Sequence, residues 1–141
     1  MNKSKLTYVF LILAVLSLTF LNFSPVLKSD FVNWDDDIHF KKNLSVRSLE
    51  GDNIVKIFKE KVNSIYIPLT TLSFAFEYHF FEYDPFHYHL DNLILHLSNT
   101  ALVFFFSLQI GLSLLGAVMA ALIFGIHPLH VESVAWITER K

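Results

Sequence analysis

The chain has 141 residues, of which 53% are hydrophobic and only 17% are charged, and its formal net charge at pH 7 is −2. This composition, with 15 Phe residues, excludes an intrinsically disordered chain, because disorder requires few aromatic residues and high charge. The absence of cysteine excludes a disulfide scaffold and a thiolate metal site. Nucleic acid is not expected as a partner, since there is no basic excess to neutralise phosphates.

Two long stretches without charge predict an all-α membrane protein. Residues 6–23 form the first stretch, and residues 92–131 form a second one of forty positions without Asp, Glu, Lys or Arg. A bilayer core about 30 Å thick needs roughly 20 helical residues. The second stretch is therefore long enough for two helices, with a break at Gly111. We predict about three transmembrane helices plus interfacial amphipathic helices.

The predicted organisation has five parts along the chain. They are an N-terminal tail and first transmembrane helix at 1–23, an extracytoplasmic loop at 24–88, a second transmembrane helix at 89–109, a third at 112–127, and a final extracytoplasmic segment at 128–141. Lys3 and Lys5 precede the first helix, which favours a cytoplasmic N-terminus. The loop and the final segment then lie on the same outer face. A cleaved signal peptide is less favoured, because the apolar stretch is long and no small-x-small cleavage site follows it.

The outer loop is predicted to touch the membrane interface. Residues 52–62 have apolar side chains on one helical face and lysines on the other, which is typical of an amphipathic helix lying in the interface. Packing of this helix on another domain is an equally good interpretation. Residues 66–83 are rich in Phe and Tyr, as is the headgroup belt of membrane proteins.

The most conspicuous polar feature of the loop is the run Asp35, Asp36 and Asp37. A carboxylate at a membrane surface suits a general base that takes a proton from a hydroxyl. The alternative for acids alone is a solvated turn or a helix cap. The apolar neighbours Trp34 and Phe40 weaken that alternative, because they would anchor the acids against an apolar surface.

The second predicted transmembrane helix carries one polar stripe. Tyr88, Asn92, His96 and Asn99 recur at spacings of four, four and three residues, which puts them on one helical face. Polar groups within a span face the interior of the bundle. The stripe therefore predicts either the wall of a polar cavity or a set of interhelical hydrogen bonds.

A third polar cluster follows the last hydrophobic stretch. Pro128 ends or kinks the third helix, and His127, His130 and Glu132 then emerge at the membrane edge. Two His and a carboxylate can bind zinc, but Pro128 prevents the regular helix that would hold them on one face. A hydrogen-bonding cluster that orients a substrate phosphate or supports the acids is favoured. By the predicted orientation this cluster and residues 35–37 share the outer face.

Four motifs in series give the chain a resemblance to a known family. They are residues 31–36, 66–70, 88–96 and 127–141. In this order they resemble the N-terminal part of the transmembrane and tetratricopeptide-repeat (TMTC-like) proteins, including bacterial relatives. These in turn resemble the protein O-mannosyltransferases, which are multi-span glycosyltransferases of the GT-C type. The resemblance covers residues 28–141.

The resemblance implies a reaction and its partners. It implies transfer of a sugar from a polyprenyl- or dolichyl-phosphate carrier to a protein acceptor, in the bacterial inner membrane or the endoplasmic reticulum. The family has an acidic pair in its first outer loop, and both possible registers include Asp36, which is therefore the expected base. Asp35 and Asp37 would orient it or bind the acceptor. The residues expected to bind substrate are His39, Tyr88, Asn92, His96, His127, His130 and Glu132. A divalent metal is possible, and no ligand for one is assigned.

The chain also departs from the family pattern. Ile67 stands where relatives commonly have Arg, so one phosphate contact is missing. The family pattern continues beyond Lys141 with further transmembrane helices and repeats. We therefore expect a fragment of a GT-C fold that needs this downstream region and is inactive alone. The alternatives are a non-catalytic membrane module that binds a partner, and a transporter fragment that uses intramembrane His and Asn.

Overall fold

The computed structural model describes residues 3–32 and 35–140, and most of these residues are helical. Six α-helices follow one another in the chain: α1 (Lys3–Phe23), α2 (Gly51–Ile57), α3 (Pro68–Phe81), α4 (Pro85–Gln109), α5 (Leu114–Ile126) and α6 (His130–Ala135). Short helical turns lie at Ser24–Lys28, Asp37–Lys41, Leu44–Arg47 and Ile137–Arg140. Among the described residues β pairing is limited to one isolated bridge between Val62 and Ile65.

The prediction of an all-α membrane protein is confirmed. The segment Lys5–Lys28, which contains most of α1, and the helix Pro85–Gln109 are each long and apolar enough to cross a membrane. Helix α5 is also apolar but has 13 residues, which reach about 20 Å against a bilayer core of about 30 Å. The third crossing and the cytoplasmic N-terminus therefore stay predictions.

Local sequence signals set the ends of the long helices. The Asp84 side chain accepts a hydrogen bond from the Phe86 N–H, and Pro85 occupies the first turn of α4. This cap starts α4 four residues before the predicted position 89, because the helix continues beyond its apolar part. Gly111 has a φ of +89° in the turn after α4, and Ser113 caps α5. The predicted break at Gly111 is confirmed.

The amphipathic helix predicted at 52–62 is shorter in the structure. The Lys59 and Glu60 N–H groups both donate to the carbonyl of Lys56, which closes α2. Residues 62–65 then form a tight turn, with Asn63 and Ser64 at positive φ. The prediction of helix up to residue 62 is therefore wrong, because this turn competes with the last part of the helical pattern.

Helices α1, α4 and α5 pack together around small side chains of α5. Ala117, Ala121 and Gly125 are spaced by four residues and all are buried, so one face of α5 approaches its neighbours closely. A Cβ atom added at Gly125 would collide with Thr19 Oγ1 of α1 and crowd Thr100 of α4. The outer loop forms a second core, made of Phe40, Val46, Phe74, Tyr88 and Ile137.

The close approach at Gly125 gives a test of the three-helix packing. We expect Gly125→Ala to be less stable than Gly116→Ala by about 1–3 kcal/mol, because only the first substitution overpacks the helix contact. At Gly116 a Cβ meets its nearest atoms at 3.4 Å, which is ordinary contact. Both variants gain the same helix propensity, so their unfolding in detergent isolates the packing difference. Equal stability would contradict the packing.

Candidate functional site

The carboxylate of Asp36 joins the acidic run to the last turn of the chain. Its Oδ1 atom accepts hydrogen bonds from Trp136 Nε1 (3.0 Å), from the Thr138 N–H (3.3 Å) and from Thr138 Oγ1 (2.8 Å). Its Oδ2 atom accepts a hydrogen bond from the Val32 N–H at 2.9 Å. Asp36 is only 1% exposed. Three donors converge on Oδ1 and one on Oδ2, so this side chain fixes residues 136–138 beside the acids.

The other two acids have different surroundings. Asp37 is half-buried and lies 3.5 Å from Lys41 Nζ and 3.6 Å from Lys42 Nζ. Asp35 is also half-buried and immediately precedes Asp36. Trp34, which was expected to anchor the acids, lies outside the described residues, as do Asn33 and Lys141.

Two residues predicted to bind substrate lie in the core of the outer loop. Tyr88 is fully buried, its hydroxyl donates to the Glu82 carbonyl at 2.7 Å, and its ring centroid lies 4.5 Å from that of Phe40. His39 is also buried, and its carbonyl accepts a hydrogen bond from Asn43. The structure therefore buries both side chains within the protein.

Arg140 forms the second anchor of the last turn. Its side chain is 7% exposed, and its guanidinium lies over the Phe74 ring at 4.9 Å from the centroid. Its donors reach Asn92 Oδ1 (2.7 Å), Ser73 Oγ (3.0 Å), the two carboxylate oxygens of Glu77 (2.7 and 2.8 Å) and the Tyr88 carbonyl (3.0 Å). A guanidinium has five N–H donors, and these five bonds account for all of them.

Sequence reasoning missed the pair of Glu77 and Arg140. A signal was present, because Glu77 is the only Asp, Glu, Lys or Arg within residues 68–81, and such a residue is almost never buried without a partner. Nothing in the sequence pattern, however, says that the partner lies 63 positions away.

Three residues of the polar stripe reach one cavity. A space of about 280 Å³ lies between α4, the end of α5 and α6, and its polar lining residues are Asn92, His96, Asn99, His130, Ser133, Glu139 and Arg140. The rings of His96, Phe124 and His130 contact one another, with centroids 5.3 Å apart for the two imidazoles and 5.5 and 4.5 Å from Phe124 to His96 and His130. The stripe therefore forms one wall of a polar cavity, and Tyr88 is the one member that lies elsewhere.

Several of these polar groups are engaged within the protein. The Asn92 amide donates to the Trp136 carbonyl at 3.2 Å and accepts from Arg140. His96 Nε2 lies 2.9 Å from the Gly125 carbonyl. These bonds tie α4 to α5 and to the last turn, so the hydrogen-bonding interpretation of the stripe also holds for Asn92 and His96. Asn99, His130 and Ser133 face the same space.

His127 and Glu132 do not join His130 in this cavity. Both are exposed, and His127 lines a neighbouring, mainly apolar depression together with Leu129 and His130. His127 Nδ1 accepts a hydrogen bond from the Leu129 N–H at 3.2 Å, in the turn that Pro128 starts. Among residues 3–32 and 35–140, no group of three His, Asp or Glu side chains could hold a metal ion. The two histidines and Glu132 therefore do not form the zinc site that was considered.

The predicted meeting of the acids with the segment after the third helix is seen at different residues. The contacts are made by Trp136 and Thr138 rather than by the histidines. Glu139 and Arg140 follow directly and line the cavity. The acidic run and the cavity are thus joined through the turn Ile137–Arg140.

The fold and this network define the class of protein. It is an all-α membrane protein in which buried charged side chains fix a surface loop to the helices. No family model and no solved structure matches the chain. The chain is similar to curated proteins over about half of its length. Over 82 residues, or 58% of its length, it is 34% identical to protein O-mannosyl-transferase TMTC3 of Homo sapiens. Over 79 residues, covering 53% of its length, it is 42% identical to protein O-mannosyl-transferase TMTC2 of Mus musculus.

These similarities confirm the resemblance that the motifs indicated: the chain is TMTC-like. Protein O-mannosyl-transferase tmtc2 of Xenopus laevis, at 40% identity over 75 residues, gives the same result. The chain covers 9% of the length of each of these three relatives.

The Glu77–Arg140 pair predicts a pH dependence of stability. Burial raises the pKa of Glu77 from 4.5 to about 7, although Arg140 acts in the opposite direction. A pKa that is higher in the folded state favours folding below pH 4.5, and this contribution is lost as the pH rises to about 7. The free energy of unfolding of the natural protein relative to Glu77→Gln should therefore fall over this range, by on the order of 3 kcal/mol.

The measurement is denaturant unfolding of both proteins in detergent at several pH values from 4 to 8. Other titrating groups are common to both proteins and cancel in the difference. A difference that stays constant, or that grows as the pH rises, would show that Glu77 is ionised throughout.

Proposed function

We propose that the chain provides the N-terminal portion of an integral-membrane glycosyltransferase of the GT-C type. This enzyme would transfer a sugar from a polyprenyl-phosphate carrier to a hydroxyl of a protein or other acceptor. Similarity to proteins named protein O-mannosyl-transferases supports this reaction class. The observation that carries the proposal is the bonding of Asp36 to Trp136 and Thr138, because it joins a run of carboxylates to a polar cavity beside a candidate transmembrane helix.

Within this proposal, the base is Asp35 and Asp36 is a positioning residue. A general base needs a carboxylate oxygen that can reach the acceptor hydroxyl. The oxygens of Asp36 already accept four hydrogen bonds inside the protein. Asp35 is the neighbouring carboxylate and is half-buried rather than enclosed. Asp37 forms ion pairs with Lys41 and Lys42, so its carboxylate is engaged within the protein.

The proposed step is a single displacement. The Asp35 carboxylate takes the proton of the acceptor hydroxyl. At the same time the acceptor oxygen forms a bond to the anomeric carbon of the sugar. The bond from that carbon to the phosphate oxygen breaks, and the electron pair leaves with the polyprenyl phosphate. The leaving phosphate gains charge that cations or dipoles must stabilise. Lys41 and Lys42 are cations next to the acidic run, whereas the donors of Arg140 are committed to the protein.

The cavity suits the sugar better than the phosphate. Asn99, His130 and Ser133 offer amide, imidazole and hydroxyl groups, which match sugar hydroxyls. The guanidinium of Arg140 donates all five of its hydrogen bonds to protein acceptors. It therefore offers no N–H to a phosphate. A space of about 280 Å³ has room for one monosaccharide ring. We propose that this cavity receives the sugar of the donor.

Three matched substitutions test the assignment of roles. We expect Asp35→Asn to lower sugar transfer per folded molecule by 10²-fold or more. Asp36→Asn should reduce both sugar transfer and the amount of folded protein. Every partner of Asp36 is a donor, and the new NH₂ group must face one of them. Asp37→Asn, which removes two partly exposed ion pairs, should leave the folded amount unchanged.

The assay measures transfer of radiolabelled sugar from polyprenyl-phosphate mannose to protein, in membranes that contain the chain together with any region encoded downstream. Protease resistance measures the folded amount in the same membranes. Full transfer by Asp35→Asn would overturn its role as the base. Absence of transfer by the natural protein, with loss of a bound partner protein in Asp36→Asn, would instead favour a non-catalytic membrane module.

A further inference from the structure

Helix α3 is apolar on two opposite faces. One face is buried in the protein and includes Phe74 and Ala75. The other face carries Leu69, Phe76 and Phe80, which are 72%, 49% and 69% exposed. Spacings of seven and four residues put these three side chains on one stripe of the helix. A helix packed on a protein core normally presents polar side chains on the opposite face, so the exposed apolar stripe calls for an apolar neighbour.

The exposed face of α3 also lacks charge. Among residues 68–81, Glu77 is the only acidic or basic residue apart from His79. The Glu77 carboxylate points to the protein side, where it pairs with Arg140. No ammonium, guanidinium or carboxylate within α3 therefore interrupts the stripe of Leu69, Phe76 and Phe80.

The position of α3 in the chain indicates what covers this face. Helix α3 ends at Phe81, and α4, which is long enough to cross a membrane, begins at Pro85. Three intervening residues span at most about 10 Å, so the end of α3 lies close to the level at which α4 enters the bilayer. The aromatic surface continues through this turn with Phe81, Tyr83 and Phe86, all of which are exposed.

We infer that α3 lies in the boundary between the lipid headgroups and the acyl chains, with the stripe of Leu69, Phe76 and Phe80 facing the lipid. With 14 residues, α3 is about 21 Å long and too short to cross a core of about 30 Å. Phe and Leu on one helical face are typical of helices that insert about 5–10 Å into this boundary. The inference does not depend on the proposed glycosyltransferase activity.

The absence of cysteine from the sequence makes a direct test simple. Phe80→Cys and Leu69→Cys, at the two ends of the stripe, are each labelled with an environment-sensitive fluorophore. Asp52→Cys, an exposed polar position in α2, is the matched control. The full 141-residue chain is reconstituted into vesicles of phosphatidylcholine and phosphatidylglycerol that contain lipids brominated either near the headgroup or near the end of the acyl chain.

Labels at positions 69 and 80 should be quenched most by bromines near the headgroup, and they should be shielded from a water-soluble quencher at least several-fold relative to position 52. Both stripe positions are largely exposed, so their replacement should not disturb folding. If one variant does not fold, the other still gives the measurement. Stronger quenching by bromines at the chain end would mean that α3 crosses the membrane. Shielding from water without lipid quenching would mean that protein covers the stripe. Each of these results, or accessibility equal to that of position 52, would overturn the inference.

Discussion

The structure depends on the hydrogen bonding of buried charged side chains, namely Asp36 and the pair of Glu77 and Arg140. Asp36 and Arg140 lie about a hundred residues apart in sequence, yet both fix the same turn, Ile137–Arg140. Asp36 receives four hydrogen bonds, and Arg140 makes five, two of them to Glu77. An unpaired buried charge is strongly unfavourable, so removal of either side chain leaves the other groups of the network unsatisfied. The outer loop, α3 and α4 are therefore held to one another through this turn.

Much of the helical architecture could be predicted because the length of an apolar stretch and the residues that cap or break a helix are local properties of the sequence. The uncharged stretches predicted α1, α4 and α5, and Gly111 marked the break that the structure has. The polar stripe predicted either a cavity wall or interhelical hydrogen bonds, since helical spacing alone puts Asn92, His96 and Asn99 on one face, and the structure has both features. The start of α4 was predicted too late, because counting apolar residues finds the part of a helix within the membrane rather than the helix itself.

The contacts of the site were less predictable because they are long-range. The expected meeting of the acids with the C-terminal segment has a counterpart in the structure, but Trp136 and Thr138 make it rather than His127 and His130. Adjacent Asp residues look alike in sequence, whereas the structure encloses Asp36, leaves Asp35 half-buried and sets Asp37 beside lysines. Such differences depend on which distant donors arrive, and no local pattern records them. The proposed division of roles among the three acids rests on these differences.

A double-mutant cycle between Asp36 and Thr138 tests most directly whether this contact organises the protein. Asp36→Asn, Thr138→Val and the double variant are unfolded in detergent under the same conditions. The structure predicts a coupling free energy of about 1–3 kcal/mol, since the two side chains share a buried hydrogen bond of 2.8 Å. Effects that add to within about 0.5 kcal/mol would show that the two residues do not interact, and the connection between the acidic run and the cavity would be lost.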